Sequence, residues 1–309
     1  DVYSSIATSN SAYDTYTGTS MATPMTTGSL ILLQQHYNNL HSQFMRSATL
    51  KALVIHAADE AGNYEGPDYV FGWGLLNTKE AAIAISNNDN SYFIGEQTLN
   101  NGGTFTKDIT ASGTKPLKVT IVWTDVKGNA IATTTDEVHN NRTKMLINDL
   151  DLRISNGTST YYPYKLDILH PANAATKADN NTDNVEQVYI ANPGSGNYTV
   201  TVNHKGSLTN SNQNFSIIIS GLTGTPVVVD DCANTVSSFP YNESFESSFG
   251  LWQQSSADNF DWARDSGGTP SGSTGPSVAS NGTYYVYAEA SSPNYPSKTT
   301  VLTLSLIHI

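Results

Sequence analysis

The hydrophobic pattern of the chain changes its period near residue 90, and this change constrains the possible folds more than any other feature. Before it, apolar residues recur at helical spacing, as Leu50, Leu53 and Ala57 do on one face of a predicted helix. Residues 87–91, Asn-Asn-Asp-Asn-Ser, interrupt this pattern. Residues 92–223 then alternate with a period of two. The sequence therefore predicts helices followed by a region of many strands.

The predicted strands are short, rich in β-branched residues and bounded by Gly, Asn or Pro. Many such strands at this spacing are typical of an antiparallel β-sandwich or jelly roll, and we expect this fold for residues 91–224. The pattern is clearest in five segments, Leu117–Trp123, 150–154, 187–190, 198–202 and 215–219.

The helical region contains signals for helix starts. Ser47 is placed to cap the second helix, and Asn77 with Glu80 forms a capping-box pattern ahead of a third. His56 lies inside the second helix beside its apolar face. A hydrogen-bonded structural histidine is the more common occupant of such a position, so we interpret His56 as structural and not as a ligand.

A serine lies at the start of the first helical run, in Gly18-Thr19-Ser20-Met21-Ala22-Thr23-Pro24. Pro24 is expected in the first turn, where its missing amide costs nothing. A serine hydroxyl is a weak nucleophile by itself, but at a helix start its own amide points toward the oxyanion that forms in acyl transfer. The alternative interpretation is an N-cap serine on a core helix.

These seven residues resemble the nucleophile signature of the subtilisin-like serine proteases. Residues 1–6 resemble the strand that leads into that signature, and residues 69–77 resemble the family's closing G-x-G-[LI]-[LIV]-[ND] segment. The resemblance implies that residues 1–90 are the C-terminal portion of an α/β subtilisin-like catalytic domain. It also implies that Ser20 is the nucleophile and an oxyanion donor, and that Thr19 and Met21 line the site, with Met21 open to oxidation.

The resemblance further implies where the other catalytic groups lie. In this family the triad follows the chain order Asp, His, Ser, so the base and its orienting carboxylate precede the serine. Nineteen residues precede Ser20, and none of the seven histidines has an H-G-T-type setting. We therefore expect the chain to be a fragment of a serine endopeptidase that supplies the nucleophile only. It should be inactive alone, since removing the base from subtilisin costs on the order of a million-fold in turnover.

The strand region and the residues after it also resemble known modules. Segments 117–125, 148–152, 184–186 and 196–200 resemble the β-sandwich that follows the catalytic domain in some bacterial subtilases and is similar to the proprotein-convertase P domain. Residues 225–240 are typical of a linker. Residues 241–303 resemble the opening half of a MAM domain, a further β-sandwich used for contacts with proteins or glycans. The expected fold class is thus multidomain, ending in a partial sandwich with unpaired edges that we expect to be poorly ordered by itself.

The last six residues, 304–309, have a separate interpretation. They are the translation of CTGTCTCTTATACACATC, the end of a widely used transposase-based sequencing adapter. We interpret them as an artefact of sequencing, and the alternative is an ordinary alternating strand.

Two acidic residues in the strand region suggest a metal site. Asp149 and Asp151 are two apart on a predicted strand, so their side chains leave the same face and can converge on one cation. With Asn184 and Glu186 nearby, oxygen ligands of this kind suit calcium, which related subtilase sandwiches bind. The alternative is a solvated acidic face in an acidic protein.

Composition limits the partners. The net charge of −12, from 27 acidic and 15 basic residues, argues against nucleic acid and anionic membrane surfaces. The single cysteine, Cys232, excludes an internal disulfide framework, and no apolar run is long enough to span a bilayer. The Asn-, Ser-, Thr- and Gly-rich composition resembles that of secreted, extracellular bacterial enzymes.

Two functions remain as the main hypotheses, and a third possibility is that the sandwich region serves as a chaperone or specificity module for the protease. The first is the secreted endopeptidase, with a protein or peptide as substrate. The second is a pseudo-protease or adhesion protein whose β-sandwich modules, including the MAM-like one, bind a surface protein or glycan.

Overall fold

The computed structural model describes residues 1–130, 141–224, 235–236, 240–255, 258–272, 275–292, 294 and 297–306. The chain forms two compact units, Asp1–Val227 and Val228–Ile309. Within these described ranges, no helix is both long and apolar enough to span a membrane.

The first unit begins with a hairpin and three helices. The hairpin pairs β1 (Val2–Ser5) with β2 (Tyr13–Tyr16) in antiparallel register. The helices are α1 (Thr19–His41), α2 (Ser47–Ala57) and α3 (Thr78–Ser86). The buried residues of α1 are Leu33 and Tyr37, both in its second half, so its first half lies at the surface.

Strands follow the helices in the chain. They are β3 (Tyr92–Asn100), β4 (Phe105–Ala111), β5 (Leu117–Trp123), β6 (Asp149–Ser155), β7 (Thr160–Tyr161), β8 (Tyr164–Lys165), β9 (Thr176–Lys177), β10 (Val185–Ile190), β11 (Gly196–Lys205) and β12 (Asn212–Ser220). Eight of them form two antiparallel four-stranded sheets, in the spatial orders β10-β5-β12-β3 and β4-β11-β6-β7. The other two, β8 and β9, form a short antiparallel pair.

The two sheets share one hydrophobic core, which contains Trp123, Leu152 and Ile217. A second core lies on the other face of the first sheet, where Ile218 packs with Leu53 of α2. Successive side chains of a strand point to opposite faces, so the first sheet is buried on both sides. The first unit thus has three layers, one of helices and two of sheet.

The predicted strands are confirmed, since each of the five segments lies within a strand of these sheets. Two antiparallel sheets on a common core form a β-sandwich. The predicted boundary near residue 90 is the point where helices give way to strands, and both parts belong to one compact unit. The jelly-roll topology and the subtilisin-like α/β assignment of residues 1–90 stay predictions.

The predicted helix caps have different outcomes. The capping role of Asn77 is confirmed, because its Oδ1 accepts from the Glu80 amide at 2.8 Å. Ser47 was expected as a cap, which is wrong: it is the first residue of α2, and the N-cap is Arg46. The carboxylate of Glu96 from β3 occupies this helix end instead, and an anion is favourable there because it complements the helix dipole.

Among its described residues, the second unit contains five short strands. They are β13 (Thr235–Val236), β14 (Trp252–Gln254), β15 (Ala263–Ser266), β16 (Tyr284–Tyr287) and β17 (Leu302–Leu306). They form a three-stranded sheet, β13-β17-β14, and a separate pair, β15 and β16. Neither of the two hydrophobic cores among the described residues includes a residue of this unit. The MAM-like assignment of residues 241–303 stays a prediction.

Two further predictions concern segments that are only partly described. Residues 304–306 belong to β17, whose antiparallel partner is β14, and residues 307–309 lie outside the described residues. Most of the predicted linker, residues 225–234 and 237–239 with Cys232, also lies outside them.

Candidate active site

Ser20 is the second residue of α1 and is exposed. Gly18 sets up this position as the N-cap of the helix, with φ 155° and ψ 167°, a combination that only glycine adopts readily. The Gly18 carbonyl accepts from the amides of Met21, at 3.0 Å, and Ala22, at 3.1 Å. The chain therefore turns directly from the hairpin into the helix, with Ser20 in the first turn.

The amide of Ser20 is available as a donor. Amides in the first turn have no acceptor within their own helix. The Met21 amide donates to the Gly18 carbonyl, whereas the Ser20 amide has no backbone acceptor among the described residues. The positive end of the helix dipole lies at the same place, so a negative oxygen near Ser20 is stabilised.

Pro24 lies in the second turn of α1, which corrects the prediction that it lies in the first. The reason is that the helix begins directly after Gly18, so residue 24 is the expected amide donor to the Ser20 carbonyl. Proline has no amide, and this helical bond is lost. In the same turn the Thr23 hydroxyl donates to the Thr19 carbonyl at 2.8 Å.

Thr19 and Met21 were predicted to line the site. Thr19 is exposed and Met21 is half-buried. The Met21 sulfur lies 3.7 Å from the position that a Cβ on Gly18 would take, so it folds back over the glycine. Both residues thus adjoin Ser20 in the first turn, and their role in the site stays a prediction.

Exposed apolar side chains lie on the hairpin and on α1. Tyr3 and Tyr13 of the hairpin stack with their ring centres 5.5 Å apart, and both are exposed. Met25, in the first half of α1, is 51% exposed, and Ile31, just beyond the midpoint of the helix, is 62% exposed. Apolar side chains exposed in this way are typical of interaction sites when they form a contiguous patch.

Residues 3–74 match the model of the subtilase family. The matched segment begins in β1, contains the Gly18–Pro24 motif together with α1 and α2, and ends before α3. The match supports a serine protease origin, of the subtilase type, for this segment. It covers less than a quarter of the 309 residues and does not extend to the sandwich.

A solved structure is also similar to part of the chain. It is the periplasmic inhibitor of g-type lysozyme, PliG, from Aeromonas hydrophila, with 13% identity over 42% of this chain and 86% of that chain, and a TM-score of 0.22. At that TM-score the likeness supports no argument about fold or function.

The predicted metal ligands Asp149 and Asp151 lie on β6 and are 6% and 4% exposed, so the alternative of a solvated acidic face is wrong. Each is paired with a cation. Asp149 lies 2.6 Å from the Lys144 ammonium. Asp151 lies 2.8 Å from the ammonium of Lys205 and 3.2 Å from the guanidinium of Arg153.

The other two predicted ligands make different contacts. The Asn184 amide donates to the Trp123 carbonyl at 2.7 Å. Glu186 is fully buried, and its Oε2 accepts from the Leu152 amide at 2.6 Å, which joins β10 of one sheet to β6 of the other. Desolvation raises the pKa of Glu186 to about 8, and the Asp151 charge adds to the shift.

This arrangement leaves few oxygens free for calcium, which takes six to eight. Among the described residues, no group of three or more histidine, cysteine or acidic side chains is placed to hold a metal. Two buried carboxylate oxygens do lack a hydrogen-bond partner, Oδ1 of Asp149 and Oε1 of Glu186. The calcium site therefore stays a prediction.

The structural role of His56 is confirmed. Its Nδ1 lies 2.9 Å from the Thr120 hydroxyl and its Nε2 lies 2.8 Å from the Ser220 hydroxyl, so both ring nitrogens are satisfied in the core. Burial, and then the charge of Lys118, hold the pKa of His56 well below its usual value. No ring nitrogen is left for a substrate or metal.

Proposed function

We propose that the protein acts as a subtilisin-like serine endopeptidase whose nucleophile is Ser20. The observation that supports this is the exposed hydroxyl of Ser20, with an unpaired amide beside it, inside the segment that matches the subtilase family. In the reaction, Ser20 Oγ attacks the scissile carbonyl, and the Ser20 amide donates to the oxyanion as half of the oxyanion hole.

The proposal assigns the base to residues outside those described. No described side chain hydrogen-bonds the Ser20 hydroxyl, and the nearest turns of α1 contain no histidine or carboxylate. The exposed first half of α1 and the exposed tyrosines of the hairpin leave room for the part of a catalytic domain that brings the histidine and its carboxylate. Residues 1–309 then supply the nucleophile and one oxyanion donor, and by themselves do not hydrolyse peptides.

The proposal also takes a protein or peptide as substrate and places the protein outside the cell. It treats residues 91–224 as a P-domain-like module and residues 241–303 as a MAM-like module. Support for this part comes from the sequence resemblances and from the antiparallel strands found in both regions.

Covalent labelling with a fluorophosphonate tests the nucleophile. The protein as the cell produces it should be labelled on the peptide that contains Ser20, and Ser20→Ala should abolish the label. Ser29→Ala is the matched control because it lies on the same helix, and it should leave labelling unchanged. Absence of label in the unaltered protein, or label elsewhere, would show that Ser20 is not a nucleophile.

Labelling of residues 1–309 alone tests the origin of the base. We expect no label above that of the Ser20→Ala variant, because no described group removes the serine proton. If residues 1–309 alone were labelled on Ser20 as strongly as the protein that the cell produces, this part of the proposal would be contradicted while the nucleophile assignment stayed intact.

Calcium at Asp149, Asp151, Asn184 and Glu186 is a further proposal, supported by the two buried carboxylate oxygens without a partner. Adding calcium chloride to metal-free protein should raise the melting temperature, because a ligand that binds the folded state stabilises it. Asp149→Asn should remove the effect. An unchanged melting temperature in the unaltered protein would rule the site out.

A further inference from the structure

A cavity of about 340 Å³ opens at one edge of the sandwich, and neither Ser20 nor any predicted calcium ligand is among its lining residues. It lies between β7, the edge strand of the second sheet, and the end of β10, the edge strand of the first. Its volume falls within the range of small-ligand sites. Its lining includes Thr160, Tyr161, Tyr162, Lys177, Tyr189 and Ile190.

The cavity presents three tyrosine side chains with free polar ends. No described residue hydrogen-bonds the hydroxyl of Tyr161, Tyr162 or Tyr189, whereas the hydroxyl of nearby Tyr164 donates to Glu65 at 2.7 Å. Tyr162 is 41% exposed. Each tyrosine therefore offers a ligand both an aromatic face and a hydroxyl.

Cations next to the tyrosines restrain the rings. The Arg153 guanidinium lies 4.6 Å from the centre of the Tyr162 ring, and the Lys177 ammonium lies 5.7 Å from that of Tyr189. A cation is attracted to a ring face, so Arg153 holds the Tyr162 ring in place, whereas the Tyr189 ring has two ammonium groups near it, those of Lys177 and Lys118, each 5.7 Å from its centre. Rings held in this way lose little conformational entropy when a ligand binds.

The two cations Arg153 and Lys177 are already neutralised by carboxylates, and the Lys118 ammonium donates to the His56 carbonyl at 2.9 Å. Lys177 lies 2.8 Å from Glu65, and Arg153 is paired with Asp151 at 3.2 Å and with Asp179. The whole chain carries a net charge of −12. The cavity therefore has no uncompensated positive charge for an anionic ligand, and the field of the protein repels one.

We propose that this cavity binds a neutral glycan. Such a ligand combines apolar C–H faces, which stack on the exposed Tyr162 ring, with hydroxyls, which bond to the tyrosine hydroxyls and to Thr160. An extended peptide in an aromatic-lined groove is the competing ligand class. It is less well matched, because the free polar groups of the cavity are hydroxyls, which suit a ligand that is itself rich in hydroxyls. The inference does not depend on Ser20 or on proteolysis.

Isothermal titration calorimetry on the 309-residue chain tests this assignment. The probes are the neutral hexasaccharides cellohexaose, xylohexaose, mannohexaose and chitohexaose, with hexagalacturonic acid and decaproline as the acidic and peptide probes. At least one neutral hexasaccharide should bind, and more tightly than either of the other two probes. Tyr162→Ala should weaken that binding by at least about tenfold, a loss of roughly 1.4 kcal/mol.

Two variants separate stacking from unfolding. Tyr162→Phe keeps the ring and should retain affinity to within about threefold, because stacking is the main contribution of this side chain. Phe44→Ala removes an exposed aromatic ring from the segment between α1 and α2, outside the cavity, and should leave glycan binding unchanged. Absence of binding to all four neutral probes would overturn the proposal. So would binding that survives Tyr162→Ala, or a preference for decaproline or hexagalacturonic acid.

Discussion

Arg46 and Glu96 contact each other at two points, although they are 50 residues apart in the chain. The Arg46 amide donates to Glu96 Oε1 at 2.9 Å, and the Arg46 Nε lies 2.9 Å from Oε2. The Thr49 hydroxyl also donates to Oε1. A carboxylate from the first sheet thus stabilises the N-terminus of α2, which has no side-chain cap of its own.

Substitution of Glu96 should therefore destabilise the first unit. Glu96→Ala removes both the acceptor and the charge, and we expect a loss of about 1–2 kcal/mol, comparable with losing a helix cap. Glu96→Gln keeps an acceptor oxygen and should lose less, because the ion pair is partly exposed and such pairs contribute only about 0–1 kcal/mol. Urea unfolding followed by circular dichroism measures both. Equal stability of all three proteins would mean that the contact does not stabilise α2.

Glu186 should make stability fall as pH rises above the normal range of a carboxyl group. Its pKa is raised from 4.5 to about 8 in the folded protein, so between these values unfolding releases a proton. The stabilisation that Glu186 contributes to the folded protein is fully present below pH 4.5 and is lost as the pH rises toward about 8. The slope approaches about 1.4 kcal/mol per pH unit.

Glu186→Gln tests this dependence, since glutamine keeps an acceptor for the Leu152 amide but cannot ionise. Compared with the unaltered protein, the variant should gain stability progressively from pH 5 to pH 8. Glu96→Gln serves as the control for loss of a partly exposed carboxylate, and it should leave the pH profile above pH 6 unchanged. Parallel profiles for Glu186→Gln and the unaltered protein would mean that Glu186 is ionised in the folded state.

His56 should have the opposite effect at lower pH. Its pKa in the folded protein lies well below 6.5, so the unfolded chain takes up a proton first as pH falls. Stability from neutral His56 is present above pH 6.5 and is lost below it, with the same limiting slope of about 1.4 kcal/mol per unit. As the pH falls from 6.5, the loss of the His56 contribution and the gain of the Glu186 contribution therefore oppose each other.

This opposition gives a specific expectation for Glu186→Gln. With the carboxyl removed, the His56 contribution should become visible as a rise in stability from pH 5 to 6.5. Urea midpoints measured across this range are sufficient to detect it. A flat profile in the variant would contradict the assignment of His56 as a buried neutral histidine.

The strands and the buried histidine were predictable because they depend on local pattern. Ile217 and Ile218 are neighbours in a strand, so their side chains lie on opposite faces of the first sheet. Both are apolar because the second sheet buries one face and the helices bury the other. His56 was placed correctly because its apolar neighbours share its helix face.

Contacts between distant segments were not predictable in the same way. Nothing near Ser47 indicates that Glu96 occupies the start of α2, and nothing near Glu186 indicates that it bonds the Leu152 amide across the two sheets. Pro24 lies in the second turn because α1 begins directly after Gly18. That helix start depends on the backbone conformation of Gly18, which the sequence does not give. The resemblance located Ser20 but could not show its unpaired amide.

Gly18 and Gly28 can be compared directly, because Gly18 is the N-cap of α1 and Gly28 lies within the same helix. They differ in backbone conformation. Gly18 has φ 155° and ψ 167°, and a side chain there is strained by about 1–3 kcal/mol. Gly28 lies within the helix, and a Cβ added there meets no atom within 4 Å.

Gly18→Ala should therefore lower the melting temperature, or shift the helix start and displace Ser20, with loss of fluorophosphonate labelling in the protein as the cell produces it. Gly28→Ala should raise the stability of α1 by up to about 1 kcal/mol, because alanine has the higher helix propensity, and should leave labelling intact. If both variants are labelled to the same extent as the unaltered protein, the turn at Gly18 does not position Ser20. If both are destabilised alike, crowding and not the backbone of Gly18 explains the effect.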